Sequence, residues 1–158
     1  MELFSRILQL SDADEILDYE NKKLAETIAD EADRSISSWH APWRREALEH
    51  YLSLGWSFIV RDPELDSPYS EEGRILGYFL CQPILFFQGQ TQSLWIEHIS
   101  FSSLKARDVL CEIAYKLGRD KHIQQVLFPS FGGIANSIQP FKPETWTPNV
   151  LKVKTTKS

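Results

Sequence analysis

The sequence predicts an α+β domain built in three layers, with a mixed, mostly antiparallel central sheet and helices on both faces. Three observations carry this. Arg74 to Phe87 and Thr91 to Phe101 are long, largely apolar stretches joined by Gln88-Gly89-Gln90, the pattern of a hairpin. Ala106, Val109, Leu110, Ile113, Ala114 and Leu117 follow it and form the clearest helical stripe in the chain. Gln125 to Phe128 then reads as a short buried strand, so the helix is a crossover that returns the chain to the same sheet.

The remaining elements follow in order. Phe4 to Leu10 is a first strand. Ser11 with Asp14 has the capping-box pattern, and a helix is expected from there to about Asp33. Its apolar face is Ala13, Ile16, Leu17, Leu24 and Ile28, and the polar run Glu20-Asn21-Lys22-Lys23 marks a break. Ser35 to Ala41 is a connection. Pro42 suits a helix start, where its missing donor costs nothing, and Ala47, Leu48, Tyr51 and Leu52 give that helix one apolar face. Gly55 ends it, and Trp56 to Val60 is a strand. The loop Asp62 to Gly73 holds five acidic residues: Asp62, Glu64, Asp66, Glu71 and Glu72. Pro83 requires an edge, bend or bulge in its strand. Ser102 or Ser103 caps the third helix, and Gly118 closes it. Beyond about residue 131 the prolines and glycines imply a weakly structured segment, with Val150 to Thr155 as a last strand.

The 158 residues are read as one domain, 1–158. The net charge of −5 disfavours a broad nucleic-acid surface. No apolar run is long enough to span a membrane, and the first ten residues lack an export-signal pattern. Cys81 and Cys111 read as buried thiols of a reducing compartment, so a cytoplasmic location is expected. No His, Cys, Asp and Glu spacing suggests a metal.

Glu97 is the best catalytic candidate. A carboxylate on the central strand can take a proton from an amine, directly or through water, once burial raises its pKa. His98 is its neighbour and, in a regular strand, points to the opposite face; only a bulge would bring the two together. It is read as a structural histidine. Trp39, His40, Trp43, Arg44 and Arg45 cluster at the start of the second helix, where they can hold an anionic or aromatic ligand, or form a homodimer contact or packed rim. Lys152, Lys154 and Lys157 read as a solvated tail.

The element order resembles the GNAT fold of the Gcn5-related N-acetyltransferases over roughly Phe4 to Phe128. The likeness is most specific in Trp95 to Gly118, WIEHISFSSLKARDVLCEIAYKLG. There Glu97-His98-Ile99-Ser100-Phe101 is similar to the family's strand ending, and Arg107 to Ala114 to its helix. The resemblance implies transfer of an acyl group from acetyl-CoA or another acyl-CoA to a small amine or a protein lysine. It implies that Phe101, Ser102, Ser103 and Lys105 face the donor, that backbone N–H groups near Phe101 or Ser102 polarise the thioester carbonyl, and that Trp39, Trp43 and Arg44 border the acceptor.

The sequence departs from the family pattern at two places. The family places glycines between this strand and helix, where backbone N–H groups meet the diphosphate. Here no glycine occurs between Gly89 and Gly118, and the connection is only Ser102-Ser103-Leu104-Lys105-Ala106. Many members also use a tyrosine after the next strand as the acid for the leaving thiolate. No tyrosine follows Tyr115. These departures keep two further readings open: a donor on an acyl carrier protein, as in the short-loop RTX toxin-activating lysine acyltransferases, or a catalytically inactive GNAT-fold binding module.

Overall fold

The structure, a computed structural model, describes residues 2–155. The strands are β1 (Phe4–Ile7), β2 (Phe58–Asp62), β3 (Arg74–Phe87), β4 (Gln90–Phe101), β5 (Gln125–Pro129), β6 (Glu144–Thr147) and β7 (Val150–Lys154). The helices are α1 (Ala13–Thr27), α2 (Glu31–Trp39), α3 (Arg45–Leu54), α4 (Leu104–Asp120) and the short α5 (Ile134–Ser137). They build one sheet of seven strands in the order β1-β2-β3-β4-β5-β7-β6. Only β4 with β5 is parallel; the other pairs are antiparallel.

The expected three layers are present. Leu8, Ile16, Trp43, Leu48, Ile59, Tyr78 and Leu80 pack between the sheet and α1 and α3. Phe79, Leu94, Ile96, Ile99, Leu110, Cys111, Val126 and Phe128 pack between the other face and α4. The hairpin turns on Gln88 and Gly89, both at positive φ, which matches the right-handed twist of the two strands. Pro83 falls beyond the last β2–β3 pair, Phe58 with Phe79, so its missing donor lies on a free edge.

Several local expectations are corrected. The capping interaction before α1 uses Asp12, not Ser11: its carboxylate accepts from the Gln9 N–H at 2.7 Å and from Arg6 at 2.8 and 2.9 Å. The polar run Glu20 to Lys23 does not break α1, because Glu20 and Lys23 are turned inward onto β4. The break comes at Ile28, where the backbone is extended, and Asp30 then caps α2 by accepting from Ala32 N–H. Pro42 precedes the first turn of α3 by three residues and lies in a turn. Gly118 lies inside α4, where an added Cβ would meet Val126 Cγ2 at 2.9 Å; its bareness lets α4 close onto β5.

The segment from about residue 131 is not weakly structured. It forms α5, a short 3-10 turn and the β6–β7 hairpin, and β7 fills the sheet beside β5. Four residues of β6, Glu144-Thr145-Trp146-Thr147, sit between two prolines that mark its ends rather than exclude a strand. Lys157 lies outside the described residues. No helix of the described residues is long and apolar enough to cross a membrane, and no three His, Cys, Asp or Glu side chains among them gather as a metal site would require.

Candidate active site

The parallel pairing of β4 with β5 runs only from Ser93–Gln125 to Trp95–Leu127. Beyond Trp95, β4 continues to Phe101 with that edge open. The β3–β4 register slips at the same level: Leu80 faces His98, but Cys81 faces Ile96. Glu97 is therefore an extra residue, a β-bulge.

The bulge overturns the expected facing of His98. Leu94 and Ile96 point to the α4 layer, and after the bulge Ile99 does so as well. Glu97 and His98 consequently both turn to the α1/α3 side. Glu97 is exposed there; its carboxylate accepts from the Trp95 indole N–H at 2.7 Å and stands beside the Tyr51 hydroxyl. Burial and the Glu97 charge push the Tyr51 phenol up to about 12. His98 instead meets α1, with Nε2 3.0 Å from Glu20 Oε2.

Glu20 is the centre of a buried polar cluster. It is 5% exposed, and it also accepts from Ser100 Oγ at 2.8 Å. Burial alone would raise its pKa; the hydrogen bond and electrostatic attraction of His98, the Ser100 bond and the Lys23 charge outweigh that and hold the carboxyl below its ordinary value. Lys23 Nζ donates to Ser100 Oγ at 2.9 Å and to the Phe101 carbonyl at 3.1 Å. The Tyr78 hydroxyl is buried against the same carboxylate, makes no hydrogen bond of normal length, and is pushed well up by burial and by Glu20.

The residues expected on the donor side sit at the end of β4 and the start of α4. Ser103 caps α4 by accepting from Ala106 N–H at 3.1 Å, and Lys105 lies exposed on the same first turn. The Ser102 N–H cannot polarise a carbonyl, because it donates to the Leu76 carbonyl at 2.7 Å; its hydroxyl is 2.7 Å from that of Tyr19. Backbone groups alternate between the two edges of a strand, so those of Ile99 and Phe101 face the open edge. Gly132 and Gly133, both at positive φ, follow β5 and seat against the Phe101 ring and the Arg107 guanidinium.

Trp39, Trp43 and Arg44 line one cavity of about 380 Å³. Trp43 is a core residue whose edge also lines a cavity of about 370 Å³ with Glu20, Lys23, His98, Phe101 and Phe131. Arg44 also lines a cavity of about 250 Å³ with Tyr51 and Glu97. Trp39 is 64% exposed. Glu20, Lys23 and Tyr19 were missed in the sequence. The signal was Ile16, Glu20, Lys23 and Thr27 at helical spacing, a polar continuation of the inward stripe.

Comparison with solved structures bears on this arrangement. A GNAT-family acetyltransferase from Listeria monocytogenes matches with a TM-score of 0.65 over 98% of this chain and 95% of its own, at 12% identity. The chain has the GNAT fold. A chain of the NatC complex bound to Gag peptide and CoA matches this GNAT fold with a TM-score of 0.67 at 14% identity, covering 99% of this chain and all of that one. The Drosophila melanogaster polyamine N-acetyltransferase, which forms N-acetylagmatine, matches with a TM-score of 0.61 at 12% identity over 97% and 99% of the two chains. At such identities the likeness is one of fold. No protein-family model matches the chain, and no curated protein matches it in sequence. After β5 this GNAT fold carries Ile134-Ala135-Asn136-Ser137, with no tyrosine, and Tyr115 on α4 is stacked on Phe141.

Proposed function

We propose that this protein transfers an acyl group from a coenzyme A thioester to an amine. The supporting observation is the open edge of β4 beyond Trp95, combined with the bulge that turns Glu97 and His98 toward the α1/α3 cavities. The open edge suits the arm of coenzyme A. Ile99 and Phe101 offer backbone groups to its amides, and Phe101 and Phe131 offer apolar walls. When bound, the thioester supplies the activated carbonyl. A single N–H of that edge would polarise it, which leaves the other for the amides.

The diphosphate end differs from the family pattern. Ser102, Ser103 and Lys105 would meet it at the first turn of α4 without a glycine cradle. The acceptor is a cationic amine of peptide or polyamine type, the classes named for the NatC and Drosophila structures. Glu97 and Glu46 line the cavity beside Tyr51 and draw such a cation, while Trp39, Trp43 and Arg44 border its approach.

Thermal unfolding with and without coenzyme A tests the donor. A ligand at a hundred times its Kd adds about 2.7 kcal/mol, so a clear rise in melting temperature is expected. Mass spectrometry of a peptide pool, agmatine and spermidine incubated with acetyl-CoA tests the transfer. No shift at millimolar coenzyme A and no acetylated product would sink the proposal and leave a binding module. Transfer from an acyl carrier protein without a coenzyme A shift would reassign the donor.

A further inference from the structure

The geometry points to His98, oriented by Glu20, as the base that takes the proton of the attacking amine. This rests on the acyl-transfer reading and replaces Glu97 in the role expected for it.

The two bulge residues stand in different surroundings. Glu97 is open to solvent, and the Trp95 indole already occupies one of its oxygens. His98 is 14% exposed and lines the cavity against the open edge of β4, where the thioester would lie. Behind it stands a carboxylate built into the fold. Glu20 is 5% exposed, sits 3.0 Å from His98 Nε2, and is fixed by a second bond from Ser100. In the tautomer that donates Nε2–H to this carboxylate, Nδ1 carries the free lone pair. Tyr78 packs edge-on against the imidazole at 5.6 Å and restricts its rotation. An ionised carboxylate in this buried place needs a function or a strong partner, since burial opposes its charge. The cluster gives it both.

The acceptor enters as an ammonium and gives one proton to solvent; the neutral amine is the nucleophile, and the chain handles its second proton. His98 Nδ1 accepts the proton that the amine loses as its bond to the acyl carbon forms and the carbon–sulfur bond breaks. The imidazolium then returns that proton to the sulfur, so no other acid is required, in keeping with the absence of a tyrosine after β5. Glu20 is a positioning residue: it sets the tautomer and stabilises the imidazolium.

The test has two arms on the full chain. The first needs no donor. Nitrogen-15 spectra of the histidines, with His98 assigned by its loss in His98→Gln, should show the proton on Nε2; Glu20→Gln should mix the tautomers. The second arm uses acetyl-CoA and whichever amine of the panel is acetylated. His98→Gln should lower kcat by roughly a hundredfold or more, with the coenzyme A melting shift retained. Glu20→Gln should lower kcat less and move the acidic limb of its pH profile, and Glu97→Gln should act chiefly on KM for the amine. If His98→Gln fails to fold, His98→Asn takes its place. A wild type without transfer overturns the acyl-transfer reading, and the base with it. An active wild type whose His98 variant keeps its kcat, or whose proton sits on Nδ1, overturns the base alone.

Discussion

Glu15 grips Arg61 with both carboxylate oxygens, at 2.6 and 2.8 Å, and their side chains are 5% and 0% exposed. The pair ties α1 to β2. Arg61 also donates to the Gly73 carbonyl at 2.9 Å, which anchors the end of the acidic loop. Removing one partner strands a buried charge, whereas replacing both with apolar groups does not. Glu15→Ala is expected to cost about 3–5 kcal/mol in urea unfolding. The double variant Glu15→Leu with Arg61→Met should cost less than Glu15→Ala alone. Additive losses would show that the pair is not coupled.

The sheet was legible where pattern and punctuation agreed. Gln88-Gly89 between two apolar runs specified the β3–β4 hairpin, and the stripe from Ala106 to Leu117 specified α4. The site was less legible for physical reasons. Glu20 and Lys23 look like a solvated patch in sequence, since an inward polar residue has the same identity as an outward one; only their spacing from Ile16 placed them inside. The bulge at Glu97 carries no glycine or proline, so nothing local separated His98 from ordinary alternation. Arg34 to Trp39 lacks an apolar face that packs, and α2 accordingly has no buried residue. Its helix rests on the Asp30 cap and local bonds, which are hard to see in a connection.

Acid should destabilise the fold through the two buried carboxylates whose pKa is held low, Asp12 and Glu20. For Asp12, burial opposes ionisation, but the bonds from Arg6 and the Gln9 N–H outweigh it and hold its pKa below the ordinary value. Glu20 is held low in the same sense. A carboxyl depressed in the folded state contributes stability that is complete above its unfolded pKa of about 4 and is lost as pH falls through the folded value. The urea midpoint should stay flat from neutral pH to about 5 and then fall. Asp12→Asn and Glu20→Gln should each lower the plateau and flatten the fall. An unchanged slope in both would assign acid sensitivity elsewhere.

Tyr51 reports on Glu97. Its phenol is pushed up to about 12 by burial and by the neighbouring carboxylate. A raised folded pKa contributes stability below the unfolded value of about 10 that is lost as pH rises toward the folded one. Ultraviolet titration should show several tyrosines titrating late, Tyr78 and Tyr19 among them, with one fewer late group in Tyr51→Phe. Glu97→Gln should bring the Tyr51 group down, though not to the ordinary value, because the burial remains. No change in Glu97→Gln would separate the two side chains and remove Glu97 from that cavity wall.

Neither thiol should react in the folded protein. Cys81 and Cys111 are fully buried, and burial raises both, Cys111 to about 12. Only the thiolate attacks, so modification requires unfolding that exposes the sulfur. With an excess of an aromatic disulfide reagent at pH 8, release of colour should follow the global unfolding rate and become immediate in denaturant. Core-destabilising variants should accelerate both thiols together. Rapid reaction of one thiol in the native protein would reveal a local opening of β3 or α4.

Gly77 sets the closeness of β3 and β4 beside the Glu20 cluster. A Cβ added there would lie 2.6 Å from the Ser100 carbonyl and 3.1 Å from Phe101 Cα, both backbone atoms that cannot rotate away. Gly77→Ala must therefore push β4 outward at the residue whose hydroxyl holds Glu20. A cost of about 1–3 kcal/mol is expected, the usual range for forced overpacking. Gly89→Ala is the control, since its Cβ meets nothing within 4 Å and only its φ of +74° is unfavourable. It should cost about 1–2 kcal/mol while leaving the site alone. The His98 nitrogen-15 signals discriminate the two: they should move in Gly77→Ala and stay in place in Gly89→Ala. Equal movement would mean that hairpin strain reaches the bulge along the strands, and unmoved signals in both would mean that Ser100 does not transmit strand position to Glu20.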